Sequence, residues 1–136
     1  MDQEIKEFTQ AIGATRPQPH EENYKLFKAV FRRANYFRHK NGAMIIKISR
    51  SERPFWGVGK KYIDFLNELG VNYFLVLLES ERSGYVFTKK ELNRNIERKE
   101  WRLGSDDNYK INPPLPNRNV FRNAEQFLHH IGAKVA

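Results

Sequence analysis

"AMIIKISRSERPFWGVGKKYIDFLNELGVNYFLVLLES", residues 43–80, holds two apolar runs separated by a loop and an amphipathic segment. The second run, "NYFLVLLES", is almost continuously apolar, the pattern of a central strand covered on both faces. The first, shorter run predicts a strand over 43–49. Between them Tyr62, Ile63, Phe65, Leu66 and Leu69 recur at helical spacing, and Gly70 falls in the C-cap region. That spacing predicts a helix of about three turns starting near Val58, so the sheet is expected to centre on 43–49 and 72–79.

The rest of the chain is arranged around this unit. In "NYFRHKNGAMIIKIS" the Asn41-Gly42 pair supplies the positive φ of a tight hairpin turn, which predicts strands at 35–40 and 43–49. "SGYVFTKK" follows the central run after a turn at Ser83-Gly84 and predicts a second hairpin. A helix over 2–12 turns Ile5, Phe8, Thr9 and Ile12 inward and ends at Gly13. A second, over 21–35, stacks Phe27, Val30, Phe31 and Ala34 in one stripe, with Lys25, Lys28, Arg32 and Arg33 off it. "ATRPQPHEEN", with its two prolines, predicts a linker at 14–21. "KKELNRNIERKEW" predicts a short helix, "GSDDNYKINPPLPNRN" an irregular stretch, and "NAEQFLHHIG" a closing helix capped by Asn123. The fold class expected is α+β: residues 1–136 form a single domain, a sandwich of a small mixed sheet (two hairpins) with flanking helices, in the order α-α-ββ-α-ββ-α-α.

Composition narrows the chemistry. The chain has no cysteine, which removes disulfides, thiol catalysis and zinc-thiolate sites and fits a reducing, cytoplasmic setting. The start, "MDQEIKEFTQ", is acidic and amphipathic where a secretory leader is basic and then apolar. The runs "AMII" and "YFLVLL" fall far short of the roughly 20 residues of a membrane span, so no membrane partner is expected. The adjacent His129 and His130 point about 100° apart on a helix and are poorly placed to share a metal. Asp106-Asp107 lies in a Gly-, Ser- and Asn-rich stretch and reads as a turn.

The net charge of +8 is regional. Between Lys25 and Lys61 stand 11 basic residues and one acid, Glu52, which makes that segment +10 and the remainder −2. A polyanionic partner explains such concentration. The candidate nucleic-acid-binding residues are Arg38, Lys40, Lys47, Ser49, Arg50, Arg53, Trp56, Gly57, Gly59, Lys60 and Lys61. Gly57 and Gly59 precede a helix whose first turn offers backbone N–H groups to phosphate, and Lys60 and Lys61 stand beside them despite the helix dipole. Trp56 is the candidate stacking or wedge residue. "GVGK" is two residues too short to be the nucleotide-binding loop.

From residue 43 to 92 the chain resembles the restriction-endonuclease-like, or PD-(D/E)XK, nuclease core. The likeness lies in "MIIKISRSERPFWGVGKKYIDFLNELGVNYFLVLLESERSGYVFTKKEL", with Lys47 at the position of the family's phosphate-contacting lysine. The family's glutamate two residues earlier is replaced by Ile45, and no carboxylate lies between Glu22 and Glu52. The resemblance therefore implies a nuclease-like scaffold without its metal site, with no catalytic residue, metal or cofactor assigned, and favours DNA over RNA. It also implies a defence, restriction or repair setting.

Three function classes follow. The first is a non-catalytic nucleic-acid-binding protein for duplex DNA. The second is a nuclease, either metal-dependent with Mg²⁺ held by Asp64, Glu79, Asp106 or Asp107, or a metal-free ribonuclease using Arg, Lys and His39 or a tyrosine. The third is an interaction module for an acidic protein partner.

Overall fold

The computed structural model describes residues 2–32 and 35–132; Arg33 and Ala34, predicted to end the second helix, lie outside the described residues. The elements are α1 (Gln3–Ile12), α2 (Tyr24–Val30), β1 (Tyr36–His39), β2 (Gly42–Ile48), β3 (Trp56–Gly59), α3 (Lys60–Leu69), β4 (Tyr73–Leu78), β5 (Gly84–Thr88), α4 (Lys89–Glu97), β6 (Arg102–Leu103), β7 (Asn108–Ile111), β8 (Val120–Phe121) and α5 (Ala124–His130). The α+β class is therefore observed, and the predicted order is present with further short strands inserted.

Five strands form a mixed sheet in the order β1-β2-β4-β5-β8. Its one parallel pair is β2 with β4, in register from Ala43 opposite Tyr73 to Ile48 opposite Leu78. Parallel neighbours require a crossover, and β3 with α3 supplies it. All six residues of β4 are buried, as its unbroken apolar sequence demands of a strand covered on both sides.

Period-2 alternation divides the core into two layers. Met44, Ile46, Phe74, Val76 and Leu78 face α1 and α5, where Phe8, Phe121 and Phe127 meet edge to face or tilted at 4.9–5.6 Å between ring centroids. Ala43, Ile45, Tyr73, Leu75 and Leu77 face the other way, onto Phe27, Phe31, Trp56, Ile63 and Leu66. On that side α2 packs on β1 by stacking Phe31 against Tyr36 at 4.2 Å. α1 is as predicted: Ile5, Phe8, Thr9 and Ile12 are buried and Gly13 closes the helix at φ 73°.

Three sequence expectations are corrected. A second sheet exists, antiparallel in the order β3-β7-β6, where one sheet was expected. Its strand β7 lies inside the stretch read as irregular. The stretch 14–21 read as a linker forms no helix or strand, and its start is held where Thr15 and Arg38 exchange both backbone hydrogen bonds, at 2.9 and 2.6 Å. Lastly, α2 is shorter than 21–35: turns precede it, Asn23 sits in the left-handed region at φ 61°, and the helix ends at Val30.

Candidate functional site

β2 positions the central residue of the site. Ala43 and Ile45 point toward α3, so alternation sends Lys47 to the same face, beyond Ile45 at the strand's C-terminal end. There the apolar packing thins and the lysine stem is half-buried. Burial pulls its ammonium below the ordinary lysine pKa. Among the described residues the Lys47 ammonium has no ion-pair or hydrogen-bond partner.

Lys47 borders two clefts. The larger, about 800 Å³, lies between the start of α3 and the turn before β7, and takes in Lys60, Lys61, Asp64, Asp106, Asp107 and Asn108. The smaller, about 340 Å³, lies under the 49–55 loop and takes in Ser49, Arg50, Ser51, Phe55, Trp56 and Gly57. No carboxylate lines the smaller cleft.

The β3–α3 junction differs from the predicted phosphate-cradling loop. Gly57 and Gly59 are ladder residues, opposite Lys110 and Asn108 of β7. Gly59 is required by a close approach, since a Cβ there would meet the Tyr62 ring at 2.9 Å. The Lys60 N–H donates to the Asp107 carbonyl at 2.9 Å, so part of the helix start is already engaged. The Lys60 ammonium is paired with Asp64, which raises its pKa, whereas Lys61 is exposed with its ammonium 5.0 Å above the Tyr62 ring centroid.

Carboxylates of the larger cleft are held in the same way. Lys110 pairs with Asp106 at 2.7 Å, and with hydrogen bonds from Asn108 it brings the Asp106 pKa down to about 2. Among the described residues no group of three or more His, Asp or Glu is arranged to hold a metal ion. Asp106, Asp107 and Asn108 reach Lys47 only through the β3–β7 pairing, a non-local contact with no local sequence signal beyond the turn composition.

The structure therefore divides the predicted residues. Lys47, Ser49, Arg50, Trp56, Gly57, Gly59, Lys60 and Lys61 do converge on the two adjoining clefts. Arg38 and Lys40 do not. Arg38 is opposite Ala43 at the far end of β2, roughly 13 Å along the strand from Lys47, and contacts the Tyr36 hydroxyl at 3.1 Å and Glu21 at 4.0 Å. Lys40 is exposed in the hairpin turn. His39, the candidate proton-transfer group, is at that far end too, its Nδ1 accepting from the Asn41 N–H at 3.1 Å. Burial and the neighbouring Lys40 lower its pKa.

Three further assignments change. Trp56 is 2 % exposed and donates its indole N–H to the Leu78 carbonyl at 3.1 Å, so it is a core residue and has no face to offer a base. Ser49 is buried and its hydroxyl accepts from the Phe55 N–H at 3.2 Å, which closes the base of the loop. Arg50 is held by Glu4, through Nε at 2.9 Å and Nη2 at 2.8 Å, and by Asp2 at 3.1 Å. Those bonds raise its pKa further and lower that of Glu4. Arg53 is exposed, with its backbone N–H bonded to the Ser51 hydroxyl at 3.3 Å.

No family model, curated protein or solved structure matches the chain.

Proposed function

We propose that the protein binds nucleic acid through its phosphates, with duplex DNA as the preferred form, at the end of β2 where Lys47 borders both clefts. The observation that carries this reading is Lys47 itself. A half-buried ammonium with no partner has lost hydration without gaining a counter-charge, and an arriving phosphate oxygen restores that balance. Lys61 lines the larger cleft with it and Arg53 is exposed on the loop over the smaller one, neither with an ion pair among the described residues, and Lys60 adds charge that Asp64 partly cancels. The regional excess of cations between residues 25 and 61 supports a polyanion over a single small anion. The preference for duplex DNA rests on the resemblance of residues 43–92 to the restriction-endonuclease-like core, with Ile45 in place of the family's metal-binding glutamate.

With Arg38 and Lys40 distant and Arg50 clamped, about three phosphate contacts remain, so log Kd against log salt on duplex DNA is expected to have a slope of magnitude near 3. Gel shifts of duplex DNA, single-stranded DNA and RNA at two salt concentrations test this. A salt-independent affinity, or no binding to any of the three, overturns it.

A further inference from the structure

Phe55 is 58 % exposed, the most exposed large apolar side chain among the described residues, while its neighbour Trp56 is buried. Adjacent residues of an extended chain point to opposite sides, so anchoring Trp56 to Leu78 throws the Phe55 ring outward. The backbone that carries the ring is held in place. The Phe55 N–H is fixed on the Ser49 hydroxyl, Ser49 is fixed in turn by its own N–H on the Leu78 carbonyl at 3.1 Å, and Pro54 restricts the backbone just before it. A ring left in water on a loop fixed at its base forgoes burial and pays little ordering entropy when it meets a partner. Two cations without ion pairs among the described residues stand near it: Lys47 borders the same cleft as Phe55, and Arg53 is exposed two residues before it, while Arg50 is taken up by Glu4 and Asp2.

We infer that Phe55 is a wedge that enters a base step of duplex DNA while Lys47 and Arg53 hold the adjoining phosphates. The inference rests on the phosphate-binding reading and adds a deformation to it. A phenyl ring inserted from the groove partly unstacks a step and kinks the duplex by some 20–90°. Flexible pyrimidine–purine steps accept this most cheaply, so the site gains a shape preference without touching a base edge.

The experiment uses the whole chain and a short duplex carrying a fluorophore pair at its ends and a fluorescent adenine analogue at a central TA step. Wild-type binding should shorten the end-to-end distance and brighten the unstacked analogue. Phe55→Ala should lose both signals and bind between about fivefold and about a hundredfold more weakly, the range for an aromatic ring on a base, with an unchanged salt slope. Phe55→Trp should retain the bend, and the melting temperature of both variants should match wild type because the ring is outside the core. If Phe55→Ala bends and binds like wild type while Lys47→Ala weakens binding, the wedge is overturned and the phosphate site stands. A Phe55 dependence seen on single-stranded DNA but not on duplex also overturns the wedge, in favour of stacking on unpaired bases. If wild type binds no duplex, both readings fall.

Discussion

Arg50 and Glu4 are joined by two parallel hydrogen bonds, Nε to Oε2 at 2.9 Å and Nη2 to Oε1 at 2.8 Å, which ties the loop beside Lys47 to the first helix of the chain. The pair takes a guanidinium out of the candidate phosphate set. Glu4→Gln combined with Asp2→Asn should release it, tightening nucleic-acid binding and steepening the log–log salt slope by about 0.9. Fluorescence anisotropy across a salt series measures both.

The same contact sets a pH dependence. Glu4 has its folded-state pKa depressed, mainly by its hydrogen bond to Arg50, so its contribution is present above the ordinary carboxylate range and is lost as pH falls through the depressed value. Asp106, brought down to about 2 by Lys110, behaves likewise. Thermal melts from pH 7 downward should therefore show a loss of stability in acid that Glu4→Gln reduces. Both carboxylates lie at the surface, so the effect should be small and should shrink further in salt.

Lys47→Met should separate folding from binding. The thioether has similar length and no charge to desolvate, so stability should hold or rise by up to about 1 kcal/mol. Binding should weaken and the salt slope should fall by about 0.9. Urea denaturation and anisotropy on one preparation read the two quantities, and a variant that loses stability while binding unchanged would make Lys47 structural.

Trp56 should respond in the opposite sense. Removal of a buried indole by Trp56→Ala should cost about 3–5 kcal/mol, whereas Trp56→Phe, which loses mainly the bond to Leu78, should cost about 1 kcal/mol. The Leu78 carbonyl is not orphaned in Trp56→Phe, because it also accepts from the Ser49 N–H at 3.1 Å. Binding by the folded Trp56→Phe protein should match wild type.

Incubation of DNA with Mg²⁺ or Mn²⁺ should leave it uncut. Asp64 and Asp106, the cleft carboxylates nearest the requirements of such a site, are each paired with a lysine, and Ile45 offers no oxygen. Metal-dependent cleavage by pure protein, lost in Asp64→Asn, Asp106→Asn or Asp107→Asn, would reverse this.

The elements that could be read in advance are those whose signal is local. Periodicity marks α1, α3 and β4, Asn41-Gly42 marks the β1–β2 hairpin, and Asn123 caps α5 through its side chain as its position suggested. The second sheet was hidden because β3 is "WGVG", too short and glycine-rich to look like a strand, and its partner lies about fifty residues away. The same gap misdirected the site: without β7 nothing brings Asp106 and Asp107 to Lys47. Nor does sequence alone decide which of two adjacent aromatics turns inward, since both Phe55 and Trp56 can fill a core, and it is non-local packing together with the Leu78 carbonyl that takes Trp56. Arg50 posed a similar problem, its partners being 46 and 48 residues earlier.

The pairing of Gly59 with Asn108 also gives the larger cleft an order of assembly. One wall, carrying Lys47, Lys60 and Lys61, belongs to the β2–α3 crossover; the other, with Asp106, Asp107 and Asn108, is made from the final third of the chain. On the ribosome the lysine wall emerges first, and the opposite wall follows by about fifty residues, a delay of several seconds at ordinary rates of synthesis. During that interval the lysine wall stands without its opposite side. Pairing β7 with β3 is thus the step at which an open row of lysines becomes one side of a cleft.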